Sequence, residues 1–400
     1  MSDRLFTPRF FVMCGFTFTV FLSAFQLLPT APFRIQELGG STFASGLFLG
    51  FLTYASAASA PLTGAIADRI GRRRTLMISS SVILLCAIGY GSTTSYRLML
   101  ALVVVHGVFW SGLLSASAAY LTSLLPEHRR AEGISYWGLS SVGAIAVAPP
   151  LAFWIMQHGG WRWICLSCCM LNFLMGAIAW FLDRDGPTAH HPLAYSATHL
   201  ASSPTHSPAS SPTDHARGSL VEWRVLVLSI TLFLYSFGYG AITSFSAMYA
   251  DASGVSPRSL YLTCLAIVIL LTRPLSGKLA DRVGYRRVFM PCLVLIAVGL
   301  ALLAAGSTRI SFVASAALFG VGLGTAYPVF VAYVMRDVSA TRRGAAFGAI
   351  LAAFDTGIGT GSTTVGWLIQ RFGFPTAFGV AAALSAISLP YFVVADRRLR

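Results

Sequence analysis

About twelve apolar runs, each near the length of a membrane-crossing helix, set the first constraint on this 400-residue chain. A helix needs roughly 20 mostly apolar residues to cross the hydrocarbon of a bilayer. Runs that meet this fall near 9–31, 43–66, 75–94, 97–122, 134–156, 162–182, 224–249, 257–279, 287–306, 309–334, 344–368 and 375–395. Gly and Pro recur inside them (Pro149, Pro150, Pro274, Pro328), as membrane helices tolerate. Hydrophobic residues make up 56% of the chain and charged residues 10%, with mean hydropathy +0.71. A soluble domain carries roughly a quarter charged residues. A core cannot hide this much apolar surface, so lipid is the expected solvent. The expected fold is an all-α membrane protein of twelve transmembrane helices.

The formal net charge of +14 raises nucleic acid as a partner, and the placement of the charges removes it. Basic residues sit between the apolar runs, in alternation. One side holds Arg69, Arg72, Arg73, Arg74, then Arg129, Arg130, then Arg282, Arg286, Arg287, then Arg342, Arg343, then Arg397, Arg398, Arg400. The other side has mostly single residues: Arg34, Arg97, Arg162, Arg258, Arg309 and Arg371. Basic loops stay cytoplasmic, so both termini are expected there, in a multi-pass protein of the cell inner membrane. Arg4 and Arg9 ahead of an apolar run give the start a signal-peptide look. No small-residue cleavage pattern closes it, so an uncleaved first span is the expectation.

The seven cysteines (Cys14, Cys86, Cys165, Cys168, Cys169, Cys264, Cys292) are odd in number, scattered and within apolar stretches, so no disulfide framework is implied. The C-x-x-C-C cluster from Cys165 opens a hydrophobic run, and neither a metal nor a cofactor is expected on it. No nucleophile–base pairing points to an enzyme. Between the sixth and seventh spans, residues 184–223 are rich in Ser, Pro, His and Thr. Such a stretch cannot bury enough apolar surface to order itself, and it reads as a cytoplasmic linker between bundles at 1–183 and 224–400. Its His190, His191, His199, His206 and His215 leave a metal-sensing loop as the other reading.

The two halves match at one constant offset. GAIADRIGRRR begins at Gly64 and GKLADRVGYRR at Gly277, a shift of 213 residues. The same shift carries Arg129 and Arg130 onto Arg342 and Arg343, and Gly107 and Tyr120 onto Gly320 and Tyr333. One register held across several spans implies two six-helix bundles in parallel orientation, with a substrate site between them near mid-membrane and access alternating as the halves rock.

On these residues the chain resembles the major facilitator superfamily over essentially its whole length. The resemblance rests on the loop motif after the second span (Gly64, Asp68, Arg69, Gly71, Arg72, Arg73) and its copy after the eighth (Gly277, Asp281, Arg282, Gly284, Arg286, Arg287), where Tyr285 replaces the usual basic residue. Gly64 and Gly277 would let a neighbouring helix approach closely, and Gly71 and Gly284 suit a tight turn. Asp68 would sit against the positive N-terminal end of the eleventh helix, near Arg342 and Arg343, and latch the halves in one state; the alternative is that these charges anchor a loop at the headgroups.

Other features depart from the drug–proton antiporter pattern. Val103 stands where such antiporters carry an Arg four residues before Gly107, and Ala144 and Ala148 replace the glycines that lead into Pro149. The stretches HGVFWSGLLSASAAYL, PEHRRAEGISYWGLSS, GVGLGTAYPVFVAYV and RRGAAFGAILAAFDTGIGTG resemble instead a drug-efflux-like branch that includes exporters of opine-type metallophores and siderophores.

Charged and titratable groups inside the membrane are costly and are the candidates for transport. Asp355 lies 12 residues past Arg343, about 18 Å along a helix, placed to carry a proton or to stabilise the Gly-rich run after it. His106 lies deep in the fourth span, either titrating near neutral pH or holding an interhelical hydrogen bond. Arg273, eight residues before Asp281 and about 12 Å from the helix end, has Ala60 as its repeat counterpart. It is placed to attract an anionic substrate, pair with Asp355, or snorkel to the interface. The aromatics Trp110, Tyr136, Trp137, Tyr235 and Tyr239 read mainly as packing or interfacial belt.

The expected protein is a monomeric, proton-coupled exporter of a small molecule, siderophore-like or drug-like, whose partners are that substrate, protons and the bilayer. A sugar or other metabolite permease is the alternative, although Asn172 and the four glutamines do not cluster. A non-transporting sensor built on the His-rich loop is the reading from a different class.

Overall fold

The computed structural model of the chain describes residues 5–126, 129–182, 223–339 and 342–399. The expected linker, apart from Trp223, which opens a helix, lies outside these residues with its histidines, as do the side chains of Arg130 and Arg343. Eleven helices form among the described residues: α1 Pro8–Leu27, α2 Ala31–Glu37, α3 Thr42–Ile70, α4 Arg72–Ser92, α5 Tyr96–Leu124, α6 Arg130–Phe181, α7 Trp223–Ala252, α8 Leu260–Val283, α9 Tyr285–Ala305, α10 Arg309–Met335 and α11 Arg343–Arg398. No strand occurs there. Hydrocarbon offers the backbone no partner, so each segment satisfies its own amides and carbonyls as a helix.

Ten stretches are long and apolar enough to cross a membrane, with α1 and α2 counted together. Two of them, α6 and α11, each hold two helices joined at a glycine with left-handed backbone, Gly160 (φ 73°) and Gly373 (φ 80°). Splitting at these glycines gives the twelve spans that the apolar runs imply. Starts are fixed by side-chain caps. The Thr7 hydroxyl accepts from the Phe10 amide at 3.2 Å, the Ser41 hydroxyl from Ala44 at 3.1 Å, and Thr308 and Ser311 cap each other reciprocally at the head of α10.

The 213-residue register reappears in the packing. Gly160 and Gly373 are related by it, and so are Gly71 (φ 95°) and Gly284 (φ 100°), which make the turns after α3 and α8. A Cβ on Gly107 would meet the Leu52 carbonyl, and one on Gly320 would lie 3.2 Å from the Leu265 carbonyl, a pair displaced by the same step. Bundle helices inside a bilayer gain little from the hydrophobic effect, so close backbone approach at small residues carries much of the association.

Buried apolar side chains divide accordingly. One cluster gathers Leu232, Phe289, Phe330, Phe378 and Phe392 from the second half. Two others gather Phe48, Tyr90 and Ile164, and Phe16, Leu76 and Leu121, from the first. Across the halves, α3 packs along α11 and α6 along α8. This is the two-bundle architecture, with the bundles meeting along two seams.

Candidate functional site

The loop motifs are the first recognisable site. Gly71 and Gly284 donate their amides to the Ala67 and Ala280 carbonyls (3.1 and 2.9 Å) and turn the chain in a conformation that costs glycine little. Arg73 then folds back on the end of α6, donating from Nε to the Ala179 carbonyl at 3.3 Å and from Nη2 to that of Trp180, with its guanidinium 5.5 Å from the Trp180 ring centre. Its counterpart Arg286 reaches Asp396 near the end of α11 at 3.3 Å. Asp396 is 1% exposed and also accepts from the Tyr333 hydroxyl. Each bundle thus ties its own loop to its own last helix. In the second copy Asp281 accepts from Tyr285 at 2.6 Å, so the residue that departs from the motif supplies a local hydrogen bond.

The proposed latch is undone in this conformation. Asp68 and Arg69 are exposed, as is Arg342, and no carboxylate–arginine pair joins the halves among the described residues. Gly64, Gly277 and Gly348 have nothing within 4 Å of where a Cβ would sit, so the close approach expected at the first two is not made here.

The halves meet instead at the end opposite the basic loops. The Ser362 hydroxyl donates to the Gly46 carbonyl at 2.8 Å, Tyr54 and Thr360 share a hydrogen bond of 2.9 Å, and the Phe43 amide donates to Gln370 Oε1 at 3.2 Å. A Cβ on Gly46 would clash with the Ser362 carbonyl and one on Gly50 with the Thr363 hydroxyl. Arg258, bonded to Asp251 at 2.7 Å, stacks over Phe33 of the other half at 5.2 Å. The halves are fastened at this end, and the described residues show no comparable hydrogen bonds between them at the basic loops.

Between the seams lie the intramembrane candidates. Asp355 is 12 residues into α11, about 18 Å from its start, and Ser56 is 14 residues from the end of α3, about 21 Å. The Ser56 hydroxyl of the other half lies near this carboxyl. Arg273 lies ten residues before the end of α8, about 15 Å. Its Nη2 comes 3.8 Å from where a Cβ on Gly138 of α6 would sit, and the Tyr327 phenol lies within electrostatic reach of it. Asp355 and Arg273 therefore stand at similar depth on opposite seams. They do not pair with each other, and among the described residues no carboxylate lies within 4.0 Å of Arg273.

Tyr327 connects the two sides of this region. Its ring packs on Phe354 (centres 4.9 Å apart, 51°), and Phe354, next to Asp355, stacks with Tyr239 of α7 (6.3 Å, 25°). Tyr239 and Phe354 pack against the same apolar cluster of the first bundle as Trp110. All three rings of the second bundle are partly buried. Tyr327, Phe354 and Ser56 carry no sequence signal, because aromatics and serines are common throughout the spans. Tyr235 is fully buried against Phe289, Trp137 donates to Thr17 at 2.6 Å, and Tyr136 is exposed beside Phe6.

His106 is not brought to this region. It is 3% exposed inside the first bundle, where its Nδ1 shares a 3.2 Å hydrogen bond with Tyr90, whose carbonyl accepts from Trp161 at 2.8 Å. The interhelical hydrogen bond, one of the two readings open for it, is the contact it makes.

The sequence profile of the Major Facilitator Superfamily matches residues 12–270 and 228–400. The chain belongs to this superfamily. An uncharacterised MFS-type transporter of Pseudomonas aeruginosa strain UCBPP-PA14 is 27% identical over 394 residues, covering 96% of this chain and 92% of its own. The D-xylose–proton symporter shares the fold at TM-score 0.74, with 15% identity and 96% of each chain covered. The nucleoside transporter NupG does so at 0.69, with 15% identity, covering 98% of this chain and 100% of its own. The protein is a multi-pass membrane transporter of the MFS type.

Proposed function

We propose that the protein exports a small molecule across the bacterial cytoplasmic membrane in exchange for protons, by alternating access between bundles 1–183 and 224–400, which residues 184–223 join. The supporting observation is the position of Asp355, facing Ser56 of the other half. It puts a carboxyl at mid-depth on a seam that must part and re-form in each cycle. Protonation removes the charge, so the strength of this cross-bundle contact depends on whether a proton is aboard. That is the coupling a secondary transporter needs, since a ligand shifts an equilibrium only by its differential affinity for the two states.

In this reading Asp355 carries the proton and Arg273 helps bind substrate. His106 braces the first bundle through Tyr90. The motif residues Asp68, Arg69, Arg72, Arg282 and Arg287 act in the state that closes the basic-loop end, while Arg73 and Arg286 hold the loops in register. Outward transport is supported by the likeness of the fourth, fifth, tenth and eleventh spans to metallophore and drug exporters. The amide side chains a sugar site favours lie elsewhere: Gln26 and Asn172 are buried in the first bundle, and Gln370 closes the outer seam.

The test uses purified full-length protein in liposomes with an imposed pH gradient. The native chain is expected to move protons with substrate, and Asp355→Asn to abolish the dependence on the gradient. In cells, efflux that persists unchanged in the presence of an uncoupler, or pH-driven flux unaltered in Asp355→Asn, overturns the proton assignment.

A further inference from the structure

Arg273 has no structural use for its charge. It is partly buried at mid-depth, has no carboxylate within 4.0 Å among the described residues, and has Ala60 as its repeat counterpart, so it is not part of the duplicated scaffold. Every other described arginine that is drawn in from the surface and ion-paired, such as Arg286 or Arg224, meets its acid within its own bundle. A guanidinium held in a membrane protein without an anion is costly unless something supplies one. Its flat fork of donors matches an oxyanion bidentately.

The surroundings narrow the ligand further. The Tyr327 phenol lies within electrostatic reach of the guanidinium, and its ring begins a row of three partly buried rings, Tyr327, Phe354 and Tyr239, of which Phe354 adjoins Asp355 in sequence. Such a row adds favourable contact for a planar conjugated body through offset or edge-to-face packing. A purely aliphatic or fully hydroxylated molecule gains less from it. On the far side Asp355 and Ser56 exclude a second anion while the carboxyl is charged.

We infer that the transported molecule is a small organic monoanion with an aromatic or conjugated ring, its carboxylate-type group on Arg273 and its ring against Tyr327, Phe354 and Tyr239. This rests on the transport reading above and specifies its substrate class. Arg273 is then the residue that separates acids from their neutral analogues, and the three rings separate aromatic from saturated acids.

Binding and flux of a panel test this, using the full-length protein in nanodiscs and in liposomes. The panel comprises aromatic monocarboxylates of one to three rings, each with its primary amide and its ring-saturated acid. At least one aromatic acid is expected to bind ten-fold or more tightly than its amide, and several-fold more tightly than its saturated counterpart. Arg273→Gln is expected to erase the preference over the amide while leaving amide binding and the melting temperature near native. Arg273→Lys is expected to restore the preference in part, since it keeps the charge and loses the fork. Tyr327→Leu is expected to reduce the preference for the ring and not that for the acid. Equal binding of acid and amide by the native protein, or an unchanged preference in folded Arg273→Gln, overturns the inference. If amides alone are moved by the pH gradient, the anion assignment fails and the transport reading stands. If no compound moves and protons are not carried, both fall.

Discussion

At the scale of single residues, the two equivalent arginines Arg73 and Arg286 show one position solved twice with different chemistry. Arg73 meets carbonyls and a Trp face at a helix end, whereas Arg286 meets a carboxylate that is 1% exposed. Removing a cation from a buried carboxylate leaves that charge under-compensated, while removing one from helix-end carbonyls leaves groups that lipid headgroups and water can reach. Arg286→Ala is therefore expected to cost about 1–3 kcal/mol of stability, and Arg73→Ala clearly less. Thermal unfolding of the two variants in the same detergent measures the difference, and equal losses contradict it. The motif residues were readable because glycine with positive φ and clustered arginine leave a mark in sequence. Ser56, Tyr327 and Phe354 were not, because which way a side chain points within an apolar span depends on helix rotation and on the neighbour it meets. Composition encodes neither.

At the scale of elements, charge is used locally. Arg224 at the start of α7 bonds Asp337 just past α10 at 2.5 Å, and Arg336 adds a second contact at 3.3 Å. Partial burial pushes the Asp337 carboxyl up, yet the hydrogen bonds and charges of Arg224 and Arg336 outweigh it and hold the group below its ordinary value. A carboxyl held lower in the folded chain stabilises it above the ordinary carboxylate range, and that contribution is lost as pH falls through the folded value. The pair is more than a third exposed on the Asp337 side, so screening keeps it below about 1 kcal/mol. Asp337→Asn is expected to melt slightly earlier than the native protein at neutral pH and to converge with it on acidification. Curves that diverge on acidification contradict the sign. The element boundaries themselves were legible to within a few residues, with two exceptions of one kind. At Gly160 and Gly373 the backbone leaves the helical conformation for a single residue, so no loop separates the two spans within α6 or within α11.

At the scale of the whole molecule, duplication and the number of spans followed from the 213-residue register and the apolar runs, but the conformational state did not. Which end is closed is set by contacts between small residues that lie outside both motifs. Gly46 of α3 lies against the Ser362 carbonyl, where a side chain has no room. Gly46→Val is expected to pry α3 from α11 and shift the population toward opening at that end. Spin labels at the exposed positions Phe43 and Phe372 report on it: a longer distance distribution in the variant is the expected result, and an unchanged one contradicts the role of this seam.

That seam has a consequence for how the membrane itself acts on the transporter. It is fastened by hydroxyls, carbonyls, glycine contacts and one cation stacked on a ring, and no ion pair crosses it among the described residues. The opposite end is edged with arginines. Ionic strength screens charges and leaves neutral contacts nearly untouched. The two gates thus answer to different environments: salt and the anionic lipids of one leaflet tune the end bearing the arginines, while the other holds a fixed threshold. A bilayer that changes its headgroup charge would alter the duty cycle of this protein from one side only.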